Sequence, residues 1–167
     1  MNYTIITLGC KVNQVESASL AELLRERGFS PCPPGGPCDV CIVNTCAVTG
    51  ESARKSRQAV RRVLAQNPDA FVAVCGCWSQ ISPADAEALG AHLVSGSGER
   101  LRFIDELCRS VRAREKARLD SVPRERRIFE KLPAAPDLAR TRAMLKVQDG
   151  CNNYCTYCII PLSLIHI

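Results

Sequence analysis

Short apolar segments alternate with helical patterns along most of this chain, and this alternation constrains its fold more than any other feature. The predicted strands cover 2–8, 39–45, 71–75 and 91–96, and the predicted helices cover 14–27, 51–66, 82–89 and 99–116. The segment at 39–45, DVCIVNT, is almost continuously apolar, as strands buried on both faces of a parallel sheet are. Parallel strands need crossover helices between them, so the pattern predicts an α/β fold with a doubly wound parallel sheet, flavodoxin-like or Rossmann-like in outline.

The pattern also divides the chain into domains. We predict a first domain over residues 1–118, whose last helix has an apolar side formed by Leu101, Ile104, Leu107, Cys108 and Val111. Residues 119–140 are charged and interrupted by prolines, which is typical of an exposed linker or of an extended segment that crosses a neighbouring surface. A further strand is predicted over 142–148, so that 141–161 begins a second domain.

Composition narrows the class of protein. The chain has 167 residues, of which 46% are hydrophobic and 23% are charged, as in an ordinary globular protein. It has no apolar run near the roughly 20 residues of a membrane span and no secretory signal, so we expect a cytoplasmic protein that does not enter membranes. A reducing compartment removes the disulfide explanation for the eleven cysteines and leaves metal binding, catalysis or burial, of which metal binding is the leading interpretation. The net charge of +5 is compatible with a polyanionic partner but does not identify one.

A first set of cysteines follows three predicted strands: Cys10, Cys46 and Cys77. The carboxyl ends of parallel strands lie at one edge of a sheet, where such folds bind ligands, so the three thiols are predicted to converge. Gly9 and Gly76 directly precede two of them, and glycine lets the backbone approach a bulky ligand closely. The alternative is that each cysteine is a small buried residue near a strand end.

A second set, Cys151, Cys155 and Cys158, lies within eight residues after the turn signal Asp149-Gly150. Thiolates at such intervals hold iron-sulfur clusters, and three ligands leave one iron of a four-iron cluster open for substrate. Zinc normally takes four Cys or His ligands, and only His166 lies nearby. A non-catalytic module that binds zinc, or that passes electrons through fully ligated clusters, remains the alternative.

Several other residues have competing interpretations. Burial or chance is favoured for Cys32, Cys38 and Cys41, packing for Cys108, and a surface or core position for His92. A stripe suited to phosphates is formed on one helical face by Arg54, Arg57 and Arg61. The same stripe also fits a solvated outer face, and the linker arginines Arg124, Arg126 and Arg127 carry the same ambiguity.

Four segments carry a family resemblance. They are Thr7–Asn13 (TLGCKVN), Asn44–Thr49 (NTCAVT) with the following ARKSRQ, Gly76-Cys77 with Gln80, and Leu145–Cys151 (LKVQDGC) continuing to Pro161. In this order and spacing they resemble the tRNA methylthiotransferases, a family of radical S-adenosylmethionine enzymes. The motifs LGCKVN and KSRQAVRR are most similar to those of the branch that acts on N6-threonylcarbamoyladenosine beside the anticodon. Sister branches act on isopentenyladenosine or on a ribosomal-protein aspartate.

The resemblance implies cofactors and partners. It implies that Cys10, Cys46 and Cys77 hold an auxiliary 4Fe-4S cluster, and that Cys151, Cys155 and Cys158 hold the 4Fe-4S cluster that binds S-adenosylmethionine. The implied reaction adds a methylthio group to C2 of the adenosine. The implied partners are tRNA and an electron donor such as a flavodoxin or ferredoxin, and no other catalytic side chain is predicted.

Two departures from the family pattern bear on these expectations. Cys75 is an additional cysteine before Gly76, and it competes with Cys77 as a ligand, although Cys77 occupies the family position. After Pro161 the sequence LSLIHI (162–167) departs from the family, which continues through a partial (β/α) barrel. We therefore expect that the tail is an artefact, that 141–161 is the truncated start of the radical S-adenosylmethionine domain, and that this chain is inactive alone.

Overall fold

The computed structural model describes residues 1–33, 36–119, 130–133, 144, 146–148, 150–151 and 153–163. Its strands are β1 (Asn2–Thr7), β2 (Ser30–Pro31), β3 (Val40–Thr45), β4 (Phe71–Gly76), β5 (Leu93–Val94) and β6 (Ala117–Arg118). Its helices are α1 (Lys11–Glu26), α2 (Gly50–Gln66), α3 (Cys77–Ile81), α4 (Pro83–Ala88), α5 (Arg100–Ala113) and α6 (Ile160–Ser163). In this part of the chain, no helix is long and apolar enough to cross a membrane.

The six strands form one sheet in the order β2-β1-β3-β4-β5-β6, and every neighbouring pair is parallel. From β1 the chain moves outward to the edge strand β2 and then crosses to β3 on the other side of β1. The order of the first five strands is the flavodoxin-like order, whose direction reverses between β1 and β3. The predicted doubly wound parallel sheet is therefore confirmed, and its ligand-binding crevice is expected where β1 and β3 end.

Helices cover both faces of the sheet. The α1 and α5 helices pack on one face, against side chains that include Ile42 and Ala73. The α2, α3 and α4 helices pack on the other, against side chains that include Val43 and Val74. Strands β3 and β4 are buried along their whole length because both of their faces are covered, which explains their continuous apolar sequences.

Some element boundaries differ from the prediction. The two-residue strands β2 and β6 and the short helix α3 were not predicted, and α1 begins at Lys11 instead of 14. The last helix ends at Ala113 instead of 116, where Arg114 takes a left-handed backbone conformation. Leu101 was predicted on the apolar side but is 40% exposed, whereas its neighbour Arg100 is buried. Phe103 is buried in that helix instead.

The described part of the predicted linker is packed on the first domain. Both carboxylate oxygens of Glu130 accept hydrogen bonds at the start of α5, from the backbone N–H groups of Arg100 (2.6 Å) and Leu101 (2.9 Å). The Ser19 hydroxyl of α1 donates to the carbonyl of Pro133 (2.9 Å), and Leu132 packs against the core between these helices. Residues 130–133 are thus a crossing segment and not an exposed linker, while 120–129 and 134–140 lie outside the described residues.

The chain beyond 144 contributes one short helix in its described part. Met144 and residues 146–148 are not in a strand, so the strand predicted over 142–148 is absent from them; 142, 143 and 145 lie outside the described residues. The α6 helix packs against α3, and Ile160 contacts the core on that side. Positions 164–167 of the questioned tail also lie outside the described residues, so the division into domains stays a prediction.

Candidate metal centre

The first three predicted cysteines lie at the carboxyl ends of neighbouring strands. Cys10 follows β1 and occupies the N-cap position of α1. Cys46 directly follows β3, and Cys77 directly follows β4 as the first residue of α3. Cys46 and Cys77 are buried and Cys10 is partly exposed. The structure thus brings the three residues to the edge where the strand order reverses, as the sequence predicts.

Glycines allow the three loops to approach one another. Gly9 has a φ of +99°, and a Cβ atom on it would lie 2.5 Å from the Cβ and 2.7 Å from the Sγ of Cys46. Gly76 has a φ of +104°, and a Cβ atom there would collide with the carbonyl oxygen of Thr45. Both positions therefore require glycine, for backbone conformation and for space.

Two buried asparagines connect the loops after β1 and β3. The Cys10 thiol donates to Oδ1 of Asn13 (3.1 Å), and Nδ2 of Asn13 donates to Oδ1 of Asn44 (3.1 Å) and to the carbonyl of Thr45 (3.0 Å). Asn44 in turn donates from Nδ2 to the backbone carbonyl of Asn13 (3.1 Å). Sequence reasoning quoted both asparagines within motifs but gave neither a role. Their buried carboxamides fix the Cys10 loop relative to the end of β3.

Buried hydroxyl groups hold the loops of the other two cysteines. The Ser56 hydroxyl of α2 accepts from the backbone N–H of Cys46 (3.1 Å) and donates to its carbonyl (2.9 Å). The Ser79 hydroxyl of α3 donates to the carbonyl of Ser95 (2.6 Å), which ties α3 to the end of β5. The Thr45 hydroxyl donates to the carbonyl of Cys75 (2.6 Å) and links β3 to β4 beside the site. Each cysteine is therefore attached to a rigid element.

Burial and neighbouring thiols control the acidity of Cys77. Burial, supplemented by the nearby Cys46 and Glu16, raises the pKa of the Cys77 thiol to about 12. Cys10 adds a smaller effect on this pKa in the same direction. At neutral pH the free Cys77 side chain is a protonated thiol, so a metal that binds there displaces a proton.

Cys75, the competing ligand, lies on the other face of the sheet. It is buried in β4 among the side chains that pack against α1 and α5, and burial raises the pKa of its thiol to about 11. The charged groups near it are Arg100 and Glu16, and no other cysteine affects its pKa. This geometry favours Cys77 over Cys75 as the residue that faces Cys10 and Cys46.

The second set of cysteines forms an open loop. Cys151 and Cys158 are partly exposed and Cys155 is exposed. The backbone N–H of Cys158 donates to the carbonyl of Cys155 (3.0 Å), which closes a tight turn. Helix α6 follows this loop directly and packs against α3, the helix that begins with Cys77. The predicted turn residue Asp149 lies outside the described residues.

Within the described ranges, no three His, Cys, Asp or Glu side chains are grouped closely enough to hold a single metal ion. The first three thiols nevertheless share one buried edge, with glycine where a Cβ would intrude. An iron-sulfur cluster is a larger ligand than a single ion, and its own iron and sulfide atoms separate the cysteines that hold it. The donors available at this edge are three thiols, which is the ligand type that iron-sulfur clusters take.

The structure corrects one cysteine interpretation. Cys32 and Cys38, for which burial or chance was favoured and a disulfide was excluded, are joined by a disulfide with a Cα–Cα distance of 5.8 Å. The turn in which the N–H of Gly36 donates to the carbonyl of Pro33 (3.0 Å) brings them within bridging distance. Cys41 and Cys108 are buried, as packing residues are.

The structure shows what contacts His92 and the arginine stripe. Nδ1 of His92 accepts from the backbone N–H of Val72 (3.0 Å), so the ring is a satisfied, partly buried histidine as expected. In the stripe on α2, Arg54 forms an ion pair with Glu51 (2.7 Å) in the same helix, while Arg61 is exposed. One of the three arginines is thus partly neutralised by a carboxylate of its own helix.

Comparison with known proteins identifies the class to which this fold and edge site belong. Residues 2–96 match the model of the uncharacterized protein family UPF0004. That match covers more than half of the chain and includes Cys10, Cys46 and Cys77. The chain belongs to this family.

Its relatives are tRNA methylthiotransferases. It is 40% identical over 93% of its length to the threonylcarbamoyladenosine tRNA methylthiotransferase MtaB of Bacillus subtilis (strain 168), and 36% identical over 95% to that of Thermotoga maritima. It is 31% identical over 95% to the tRNA-2-methylthio-N(6)-dimethylallyladenosine synthase of Moorella thermoacetica. The resemblance seen in the sequence is confirmed. The alignments cover 35%, 36% and 37% of these relatives, so the chain spans about a third of their length.

Proposed function

We propose that this chain is the cluster-binding N-terminal part of a tRNA methylthiotransferase that acts on N6-threonylcarbamoyladenosine beside the anticodon and adds a methylthio group at C2. The observation that carries the proposal is the convergence of Cys10, Cys46 and Cys77 on one sheet edge, in a chain 40% identical to a threonylcarbamoyladenosine tRNA methylthiotransferase. Identity to a dimethylallyladenosine enzyme is lower, at 31%, which favours the first substrate class. The reaction would take place in the cytoplasm.

The two cysteine sets have separate roles in this proposal. Cys10, Cys46 and Cys77 would hold an auxiliary 4Fe-4S cluster, and Cys151, Cys155 and Cys158 would hold a second 4Fe-4S cluster that binds S-adenosylmethionine. When bound, the clusters would supply the one-electron reduction of S-adenosylmethionine and the sulfur for the transfer. A flavodoxin or ferredoxin supplies the electrons.

The chain's own residues shape the first site. Asn13 and Asn44 hold the Cys10 loop, and Ser56 holds the Cys46 loop, so that the thiols are positioned before loading. Gly9 leaves space beside Cys46. The raised pKa of the Cys77 thiol, caused mainly by burial, makes loading release a proton at neutral pH.

Metal analysis tests the proposed clusters. After anaerobic reconstitution we expect about eight irons and about eight sulfides per chain. Replacing Cys151, Cys155 and Cys158 together with alanine is expected to leave about four, and replacing Cys10, Cys46 and Cys77 together is expected to leave the other four. A matched variant with Cys41, Cys75 and Cys108 changed to alanine keeps all eight. Bound zinc without sulfide would refute the proposal.

A chimaeric enzyme tests the proposed reaction. Residues 1–158 replace the corresponding third of the Bacillus subtilis relative, and the chimaera is expressed in cells that lack this modification. We expect 2-methylthio-N6-threonylcarbamoyladenosine in digested tRNA, and none from the same chimaera with Cys46→Ala. A methylthio group found only on isopentenyladenosine would assign the chain to the sister branch. A chimaera that loads both clusters and modifies neither nucleoside would refute the proposed function.

A further inference from the structure

A carboxylate in the middle of the first domain is bound by two cations. The side chain of Glu16, on α1, is 2% exposed, and its Oε2 lies 2.7 Å from Nη2 of Arg100, whose side chain is 1% exposed. Its Oε1 lies 3.0 Å from Nζ of Lys146, whose side chain is 10% exposed. Arg100 also donates from Nη1 to the carbonyl of Gly96 (3.0 Å). Glu16 therefore connects α1, α5 and the segment that precedes the second cysteine loop.

Burying these charges is costly unless each is paired. Burial by itself would raise the pKa of Glu16, but Arg100 and Lys146 outweigh it and hold that pKa below its ordinary value. The carboxylate is therefore ionised. Arg100 already balances its charge, so the first domain would have a neutral pair there without Lys146. Lys146 is therefore not needed to neutralise Glu16, so the position of Lys146 beside this carboxylate has another cause.

Its position in the chain suggests that reason. Glu16 lies on the helix that Cys10 caps, and Lys146 lies in the segment that leads to Cys151. The same stretch of chain is attached at earlier points, where Glu130 caps α5 and the carbonyl of Pro133 accepts from Ser19. This stretch has several described contacts with α1 and α5. Of these, the contact made by Lys146 lies nearest to the second cysteine loop.

We propose that Glu16 is a positioning residue. It anchors Lys146 and thereby holds the second cysteine loop at a fixed position relative to the first three cysteines. The anchor is specific, because Arg100 orients the carboxylate and leaves its other oxygen, Oε1, for Lys146. This inference concerns the docking of the chain on itself, so it holds whichever group the cysteines bind and does not rest on the proposed function.

Hydrogen exchange of the full chain, read by mass spectrometry without metal, tests the anchor. We expect the backbone amide of Cys158, which donates to the carbonyl of Cys155, to be protected in the unmodified chain and to exchange about tenfold faster or more in Lys146→Gln. Amides of β3 and β4 are expected to be unchanged, because the pair of Glu16 with Arg100 remains. The matched control is Lys131→Gln, an exposed lysine of the crossing segment, with less than a twofold effect.

Two further variants separate anchoring by charge from general packing. Lys146→Arg keeps a cation and is expected to restore most of the protection. Glu16→Gln is expected to release the loop as Lys146→Gln does, with the fluorescence of the single tryptophan, Trp78, reporting whether the domain is folded. If Glu16→Gln unfolds the domain, Lys146→Gln alone decides. Absence of protection in the unmodified chain, equal exchange in the two Lys→Gln variants, or failure of Lys146→Arg to protect would each overturn the proposal.

Discussion

At the scale of single residues, glycine is required at position 9 for its backbone conformation and for the space beside it. Comparison with Gly28 separates these two requirements. Gly9 and Gly28 both have positive φ, +99° and +81°, but only Gly9 has another side chain, Cys46, where a Cβ would lie. Gly28→Ala is therefore expected to cost about 1–2 kcal/mol from backbone strain alone. Gly9→Ala adds a steric clash and is expected to cost about 3 kcal/mol or more. Urea denaturation followed by Trp78 fluorescence measures both.

Iron content provides a second measure of the same change. Gly28→Ala is expected to leave reconstitution unaltered, whereas Gly9→Ala is expected to lower the iron bound to the first site, since Cys46 must move. If the two variants lose equal unfolding free energy and load iron equally, the contact between Gly9 and Cys46 has no role in the site.

Ser56 allows a further prediction at this scale. Its hydroxyl satisfies both the N–H and the carbonyl of Cys46 in a buried position. Ser56→Ala leaves two buried backbone groups without this partner, and we expect a loss of about 1–3 kcal/mol in the free energy of unfolding. Ser52→Ala, on the more exposed first turn of α2, is the control: its backbone N–H still donates to Oγ1 of Thr49 and only an exposed hydroxyl contact is lost, so we expect a loss below about 0.5 kcal/mol. Equal losses would show that Ser56 does not support the Cys46 loop.

At the scale of elements, the start of α5 depends on a residue distant in sequence. Glu99 at its N-cap position has a left-handed backbone and no side-chain capping bond, and Glu130 supplies the capping carboxylate instead. Glu130→Gln weakens this cap and its interaction with the helix dipole, with an expected loss of about 1 kcal/mol in the free energy of unfolding. Denaturation midpoints check it against Glu115→Gln, an exposed control. A Glu115→Gln midpoint shifted as far as that of Glu130→Gln would contradict the cap.

The elements also show what could be predicted from the sequence. The runs that became β3 and β4 could be recognised because burial on both faces requires continuous apolar residues. The two-residue strands β2 and β6 could not, because Ser30–Pro31 and Ala117–Arg118 have no strand pattern and are placed by pairing with β1 and β5. Helix α3 was missed because five residues are too few for a periodic pattern.

Some features of the candidate site could likewise be predicted from the sequence, and others could not. The positions of Cys10, Cys46 and Cys77 could be predicted, because parallel strands bring their carboxyl ends to one edge. The contacts of Ser56 and of Glu16 could not, because they depend on side-chain directions that only the packed helices define. The disulfide of Cys32 with Cys38 was missed because the argument from redox compartment says nothing about two residues that a turn brings together.

At the scale of the whole molecule, stability is expected to depend on pH through His92. Burial, followed by the nearby charge of Lys116, lowers the pKa of this histidine below 6.5. The folded chain therefore takes up the proton less readily than the unfolded chain, so the stability is full above about pH 6.5 and is lost as the pH falls through the folded pKa. Comparing His92→Gln with the unmodified chain from pH 7.5 to 5.5 checks this. A slope that remains unchanged in the variant would exclude His92 as its source.

The strand order has a consequence for biosynthesis. Because the first thiol site is assembled from loops that follow β1, β3 and β4, a ribosome must release the chain beyond Cys77 before these loops can meet. Contacts this distant in sequence form late, after the sheet has closed around its central strands. The three thiols are therefore expected to meet only once the sheet has formed, so a group that needs all three can bind the folded domain and not the emerging polypeptide.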